Sequence, residues 1–167
     1  AAALALRNST GPASWVMRFV ADLTLLVAVG AAVAWAFMSA RSKRVQLLRQ
    51  GSLASAAIAT LAWWVIEAVI GGGAWLHTEA AALGIARATL LGLAAALAAP
   101  HRHRLPALLA AAALFTMVIG GHPGGALITA LLLGAHLFAA STWLGAAPAL
   151  LLMQHDATVS TSDAHRA

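Results

Sequence analysis

The sequence predicts an all-α integral membrane protein, a bundle of about five transmembrane helices. Hydrophobic residues make up 62% of the 167-residue chain and charged residues only 9%, and the mean hydropathy is +0.86. Soluble domains are roughly half apolar and a quarter charged. A stretch of about 20 apolar residues can satisfy its own backbone as a helix while it faces lipid. The bilayer therefore explains a composition that a soluble core of this size cannot.

Five apolar runs, each bounded by charged residues, glycine or proline, supply the helices. They fall at 15–40, 53–75, 80–99, 105–121 and 126–153. Each is long enough to span a bilayer, although the third and fourth are near the short limit. The connections between them are short, which predicts antiparallel packing of consecutive helices. Residues 154–167 are small and polar and have no apolar period, so they predict a disordered cytoplasmic tail.

The basic residues of the connecting segments predict the orientation of the bundle. They collect in the first and third connections: Arg41, Lys43, Arg44, Arg49, Arg102 and Arg104. The second and fourth connections, 76–79 and 122–125, contain neither lysine nor arginine. Because basic loops remain on the cytoplasmic side, we expect the N-terminus outside and the C-terminus in the cytoplasm. The same rule accounts for the net charge of +5, so nucleic acid is not an expected partner.

Ionisable residues inside the predicted spans are the main candidates for function, because each is costly in lipid unless it is paired or hydrated. They are Arg18, Asp22, Glu67, Arg87 and His136. Arg18 and Asp22 can pair at i, i+4 spacing on one helix. Glu67 and Arg87 lie at similar depth on consecutive helices and can pair across them. This charge network either fixes helix register only or, with His136, forms part of a metal or proton site that opens outward.

Histidine and methionine are the remaining candidate metal ligands, because the chain has no cysteine. His122 lies in a glycine-rich turn after the fourth span, and His136 lies about 11 residues into the fifth. Met17 and Met117 fall in the outer half and suit Cu(I), although methionine in an apolar helix fills gaps by default. Haem is a less favoured cofactor, since axial ligation calls for two facing histidines and only His136 lies deep in a span. No hydrolytic or phosphate-binding motif is present, which predicts a protein that is not an enzyme.

The fourth and fifth spans carry a pattern of spaced residues. Gly121-His122 is followed, about a dozen residues later, by Ala135-His136-Leu137-Phe138-Ala139-Ala140-Ser141-Thr142-Trp143-Leu144-Gly145. This resembles the copper resistance protein D family of bacterial membrane proteins, whose hallmark is a Gly-His turn and then a helix reading like Leu-His-hydrophobic-Ala-Ala-x-x-Trp-hydrophobic-Gly. The first span, with Arg18, Asp22 and Leu23-Thr24, is similar to the opening helix of actinobacterial members, including those fused to a cytochrome oxidase assembly domain.

The resemblance implies copper handling at a bacterial inner membrane, either uptake or delivery toward periplasmic copper proteins and oxidase assembly. The family's histidines fall on His122 and His136, and its Trp and Gly on Trp143 and Gly145. We expect His122 to act as an outer capture ligand and His136 as an intramembrane ligand, assisted by Met17, Met117 or Glu67. Family members usually continue for several more spans, so we expect a shortened or truncated member.

A non-catalytic structural subunit of a larger respiratory or photosynthetic membrane complex is the alternative. For such a subunit the partners are the lipid bilayer and other membrane subunits, and the histidines need not bind anything. The sequence is compatible with both hypotheses.

Overall fold

The computed structural model describes residues 12–37, 42–99, 104–121 and 127–164. Within these ranges the chain forms five α-helices and no β-strand: α1 (Pro12–Phe37), α2 (Lys43–Trp75), α3 (Glu79–Ala96), α4 (Arg104–Gly121) and α5 (Leu127–Ala164). α1, α2, α3 and α5 are long and apolar enough to cross a membrane, and α4 contains a shorter apolar helix. The predicted all-α fold is confirmed, and the chain is a multi-pass membrane protein.

Two helices are longer than the apolar runs that predicted them. α2 begins at Lys43 rather than at residue 53, because Ser42 caps it: the Ser42 hydroxyl accepts a hydrogen bond from the backbone N–H of Arg44 at 3.1 Å. α5 continues to Ala164, so 154–164 are helical where the composition predicted disorder. Residues 154–164 contain neither glycine nor proline, and each added residue extends an existing helix at little cost.

The turn between α2 and α3 positions the first residues of α3. Gly72 has a φ of +62°, which interrupts the regular α2 geometry at a position that favours glycine. Thr78 caps α3 by accepting a hydrogen bond from the backbone N–H of Ala81 at 3.2 Å, and its hydroxyl donates to the Trp75 carbonyl at 2.7 Å. Glu79 in the first turn complements the helix dipole. We call this end of the bundle, with the turn at 76–78, the α2–α3 end; the charge distribution predicts that it is the outer one.

α1 occupies the centre of the bundle and packs against α2, α4 and α5, while α3 packs against α2 and α4. The main core cluster draws buried side chains from α1 to α4, among them Leu25, Val29, Leu53, Leu91 and Leu114. In the most apolar stretch of α1, 56% of the residues are buried, whereas the figure for α5 is 11%. α5 is therefore a peripheral helix, attached mainly to α1.

Two glycines bring the backbones of α1 and α5 into direct contact. A Cβ atom added at Gly30 would lie 2.7 Å from the backbone nitrogen of Gly145, and one added at Gly145 would lie 2.5 Å from the Cα of Gly30. Atoms this close would clash, so the crossing requires the absence of a side chain at both positions. Gly145, which the family resemblance singled out, thus holds α5 against α1.

Candidate functional site

Arg87 joins three helices near the α2–α3 end. Its side chain is only 7% exposed. Its Nη1 donates to Asp22 Oδ1 on α1 at 3.2 Å, and its Nε donates to Thr116 Oγ1 on α4 at 3.0 Å. The Thr116 hydroxyl in turn donates to the Ala113 carbonyl at 2.7 Å. Two of the three guanidinium nitrogens of Arg87 thus have acceptors in the protein, the Asp22 carboxylate and the Thr116 hydroxyl.

Arg18 shares the same carboxylate. Its Nε lies 3.8 Å from Asp22 Oδ2, so the i, i+4 pair expected on α1 is present, with a side chain that is half exposed. The guanidinium carbons of Arg18 and Arg87 lie 5.9 Å and 6.0 Å from the centre of the Trp63 ring. An aromatic ring within this range attracts a cation through its quadrupole. Two cations therefore converge on one carboxylate beside one indole.

Glu67 does not pair with Arg87, and that part of the predicted network is wrong. Its Oε1 instead accepts hydrogen bonds from the Trp63 indole N–H at 3.3 Å and from the Ser14 hydroxyl. Trp63 is one helical turn before Glu67 on α2, and Ser14 is one turn before Arg18 on α1. Both donors bind Oε1 of Glu67, and Arg87 instead reaches Asp22 on α1.

A cleft of about 340 Å³ opens beside this network. Its lining comes from α1 to α4 and the α2–α3 turn: Arg18, Trp63, Thr78, Glu79, Ala80, Leu83, Gly84, Arg87, Thr116, Met117 and Ile119. Glu67 and His136 do not line it. The charged groups of α1 and α3 thus face a cavity that reaches the exposed turn at Thr78 and Glu79, and are not sealed in the core.

His136 lies on the exposed face of α5. None of the residues that the structure describes gives its imidazole a hydrogen bond. Trp143, two turns further along the helix, is 78% exposed. Close by, Gly134 faces Val118 and Phe115 of α4. His136 and Trp143, both part of the pattern that resembles the family, are therefore directed away from this bundle.

The other predicted ligands are dispersed. Met117 is half-buried and lines the cleft, and Met17 is half-buried next to Arg18 in sequence. His122 lies outside the described residues. In the parts of the chain that the structure describes, no group of three or more histidine, aspartate or glutamate side chains is placed to hold a metal ion. A metal bound at His136 would thus need ligands that this part of the bundle does not bring to it.

Arg49 is a structural residue that the sequence did not single out. The sequence predicts that it lies in the first connection, yet its side chain is fully buried in α2. It lies 4.7 Å from the Trp35 ring centre and donates to the carbonyls of Ala98 and Ala99 at 2.6 Å and 3.2 Å, just past the end of α3. A cation at a helix C-terminus is favourable. The signal that could have found it is its spacing of four residues from buried Val45 and Leu53.

Thr116 and Trp63 were also missed as members of the charge network. The sequence does not show which groups a threonine or a tryptophan in an apolar span contacts. Their role becomes visible only once α2, α3 and α4 are placed around Arg87.

Comparison of the chain with protein-family models, with curated proteins and with solved structures finds no match.

Proposed function

We propose that the chain handles copper at a bacterial inner membrane, with His136 as a ligand that works together with groups outside the described bundle. The observation that carries this proposal is the exposure of His136 on the face of α5 that is directed away from the bundle. α5 is the least buried of the four candidate spans. The alternative fate of such a side chain is contact with lipid alone, which would leave its ring nitrogens without hydrogen bonds.

An unpaired imidazole in lipid is costly, because polar groups in hydrocarbon lose their hydrogen bonds to water. A metal ion or a polar partner removes that cost. Trp143 lies on the same face and also carries an N–H group that needs an acceptor. The pair therefore favours a face that is covered in the functional state.

Copper is the metal that the available ligands suit best. The chain has no thiolate, and imidazole and thioether groups favour soft Cu(I) over hard cations. The resemblance of 121–145 to the copper resistance protein D family points the same way, with His122 as the outer ligand. Met117 and Met17, both half-buried near the α2–α3 end, are the thioethers closest to the predicted point of entry. The proposed role is uptake or delivery of copper, and no enzymatic step is invoked.

Metal content tests this proposal directly. The full chain is purified in mild detergent, loaded with Cu(I) under reducing conditions, and analysed for copper and for its absorption spectrum. We expect near-stoichiometric copper in the wild type, loss of most of it in a His122→Ala/His136→Ala variant, and no loss in His77→Ala, a matched change at an exposed turn histidine. A folded wild type without copper, or a double variant that keeps it, would contradict the proposal. A Soret band in the absorption spectrum would instead show that the protein binds haem.

A structural subunit of a larger membrane complex is the second candidate, favoured by the breadth of the apolar face of α5. Phe138, Trp143, Leu150 and Leu151 are all substantially exposed there. We expect a photoreactive amino acid at position 143 to cross-link in native membranes to one polypeptide of defined mass, while the same probe at the exposed Ile85 of α3 reacts with lipid. Equal reaction at both positions would remove this candidate.

A further inference from the structure

The cleft at the α2–α3 end has a polar base and apolar walls. Arg87 is eight residues further along α3 than Glu79, which places it about 12 Å below the rim at the rise of an α-helix. Thr116 lies beside it, and the remaining walls come from Leu83, Met117 and the Trp63 ring. A ligand that enters past the rim would therefore meet hydrogen-bond donors at the base and apolar surface along its sides.

The base of the cleft retains donors that the protein does not use. Arg87 donates from Nε and Nη1, and no residue that the structure describes accepts a hydrogen bond from its Nη2. Because this side chain is only 7% exposed and lines the cleft, its remaining N–H groups open into the cavity. Arg18 contacts Asp22 through Nε at 3.8 Å, and within the described chain its two terminal nitrogens have no acceptor. Arg87 Nη2 is not among the fully buried polar atoms that lack a partner in the described chain, so it remains accessible from the cleft.

The ion-paired groups at the base, Arg18, Arg87 and Asp22, together carry one positive charge in excess. Arg18 and Arg87 contribute two positive charges, and Asp22 neutralises one. Glu67 is turned to Ser14 and Trp63 and does not line the cleft. Glu79 lines only the exposed rim, where water screens it. One bound monovalent anion would therefore balance the excess charge of the ion-paired trio, whereas a phosphate dianion would exceed it.

We propose that this cleft binds a small organic monocarboxylate with a compact apolar body. A planar carboxylate matches the forked N–H groups of guanidinium and forms charge-assisted hydrogen bonds with them. The apolar walls and the Trp63 ring would take the rest of the molecule, and a cavity of about 340 Å³ admits an aromatic or short-chain acid. This inference does not rest on the copper proposal, since it involves neither histidine and shares with it only Met117 in the cleft wall.

4-Fluorobenzoate is a suitable probe, since its fluorine signal reports binding in detergent without interference from the six tryptophans of the chain. The full-length protein is titrated with it, with 4-fluorobenzamide as the neutral molecule of the same shape and with empty micelles as the blank. We expect saturable broadening of the ¹⁹F signal of the carboxylate, and binding of the amide at least about tenfold weaker, the equivalent of losing one charge-assisted hydrogen bond.

Three variants locate the site. Arg18→Gln removes a half-exposed donor and is expected to weaken 4-fluorobenzoate binding about tenfold. Arg104→Gln removes the same charge at the exposed start of α4, at the opposite end of the bundle, and should leave the affinity unchanged. Leu83→Trp fills the cleft without altering a charge and should abolish binding.

Several results would overturn the proposal. They are a folded wild type that does not broaden the signal, an amide that binds as well as the acid, an equal effect of the two arginine variants, or unchanged binding in a folded Leu83→Trp variant. Circular dichroism of each variant establishes that it is folded. If Leu83→Trp does not fold, the pair of arginine variants decides alone.

Discussion

Arg87 shows how a single residue can be both costly and indispensable in a membrane bundle. Its guanidinium is buried, so its charge is acceptable only because Asp22 and Thr116 receive its N–H groups. Both partners lie on other helices, α1 and α4. Arg87 therefore links α1, α3 and α4 through its hydrogen bonds to Asp22 and Thr116.

Removal of one partner should cost more than removal of both. Arg87→Ala leaves Asp22 with only its long contact to Arg18, and we expect a loss of roughly 3–5 kcal/mol in the free energy of unfolding, as for other broken buried ion pairs. Asp22→Asn combined with Arg87→Met removes both charges and keeps most of the volume, so it should be the more stable of the two variants. Unfolding in detergent, followed by circular dichroism, measures both. If the double variant were the less stable, the ion pair would not be what stabilises this region.

The sequence predicted the depth of the charged residues in the bundle better than it predicted their pairing. Helical spacing alone gives the Arg18–Asp22 contact, and counting from the helix ends gives a similar depth for Glu67 and Arg87. Which way each side chain points around its helix axis depends on how the helices pack. For that reason the sequence predicts a pair between Glu67 and Arg87, whereas the donors to Glu67 in the structure are Trp63 and Ser14.

At the scale of helices, the crossing of α1 and α5 depends on two missing side chains. Gly30 and Gly145 allow the two backbones to touch, and Ser141 of α5 also lies against Gly30. The packing of α5 on α4 is less extensive, so this crossing is the main attachment of α5. The sequence marked Gly145 through the family pattern, but only the packed structure shows its partner.

A methyl group at the crossing should loosen α5. Gly145→Ala places a Cβ 2.5 Å from the Cα of Gly30, where no flexible side chain can move aside, and we expect a loss of about 1–3 kcal/mol from overpacking. Gly92→Ala is the matched control, since a Cβ there meets nothing within 4 Å. It should be neutral or stabilising by up to about 1 kcal/mol, because alanine is the better helix former. Thermal unfolding in detergent compares the two, and equal losses would show that the crossing tolerates a side chain.

Helix limits were harder to predict than helix identities, and the errors have a common cause. The apolar runs located the cores of all five helices, but α2 and α5 extend well beyond them into polar sequence. Polar extensions are held by specific contacts, such as the 2.8 Å approach between Arg44 Nη1 and His155 Nδ1, which links the start of α2 to the end of α5. Hydropathy alone does not encode contacts of this kind.

At the scale of the whole molecule, polarity is distributed unevenly between the two ends. Of the six lysine and arginine residues that the structure describes, Lys43, Arg44, Arg49 and Arg104 lie toward the end where α2 and α4 begin. The other two, Arg18 and Arg87, line the cleft at the α2–α3 end, below its acidic rim. By the positive-inside rule, this asymmetry predicts that the end where α2 and α4 begin is cytoplasmic and that the α2–α3 end is outside. Under the proposed functions, both the cleft and the copper entry point then face outward.

Cysteine labelling tests that direction, and the absence of native cysteine makes each introduced thiol unique. His77→Cys places a thiol on the exposed α2–α3 turn, and Lys43→Cys places one at the exposed start of α2. In spheroplasts we expect a membrane-impermeant maleimide to label the first variant at once and the second only after permeabilisation. The opposite pattern would invert the bundle and turn the cleft toward the cytoplasm. In that case a carboxylate could still bind, but it would come from inside the cell, and an entry route for extracellular copper past the α2–α3 end would be excluded.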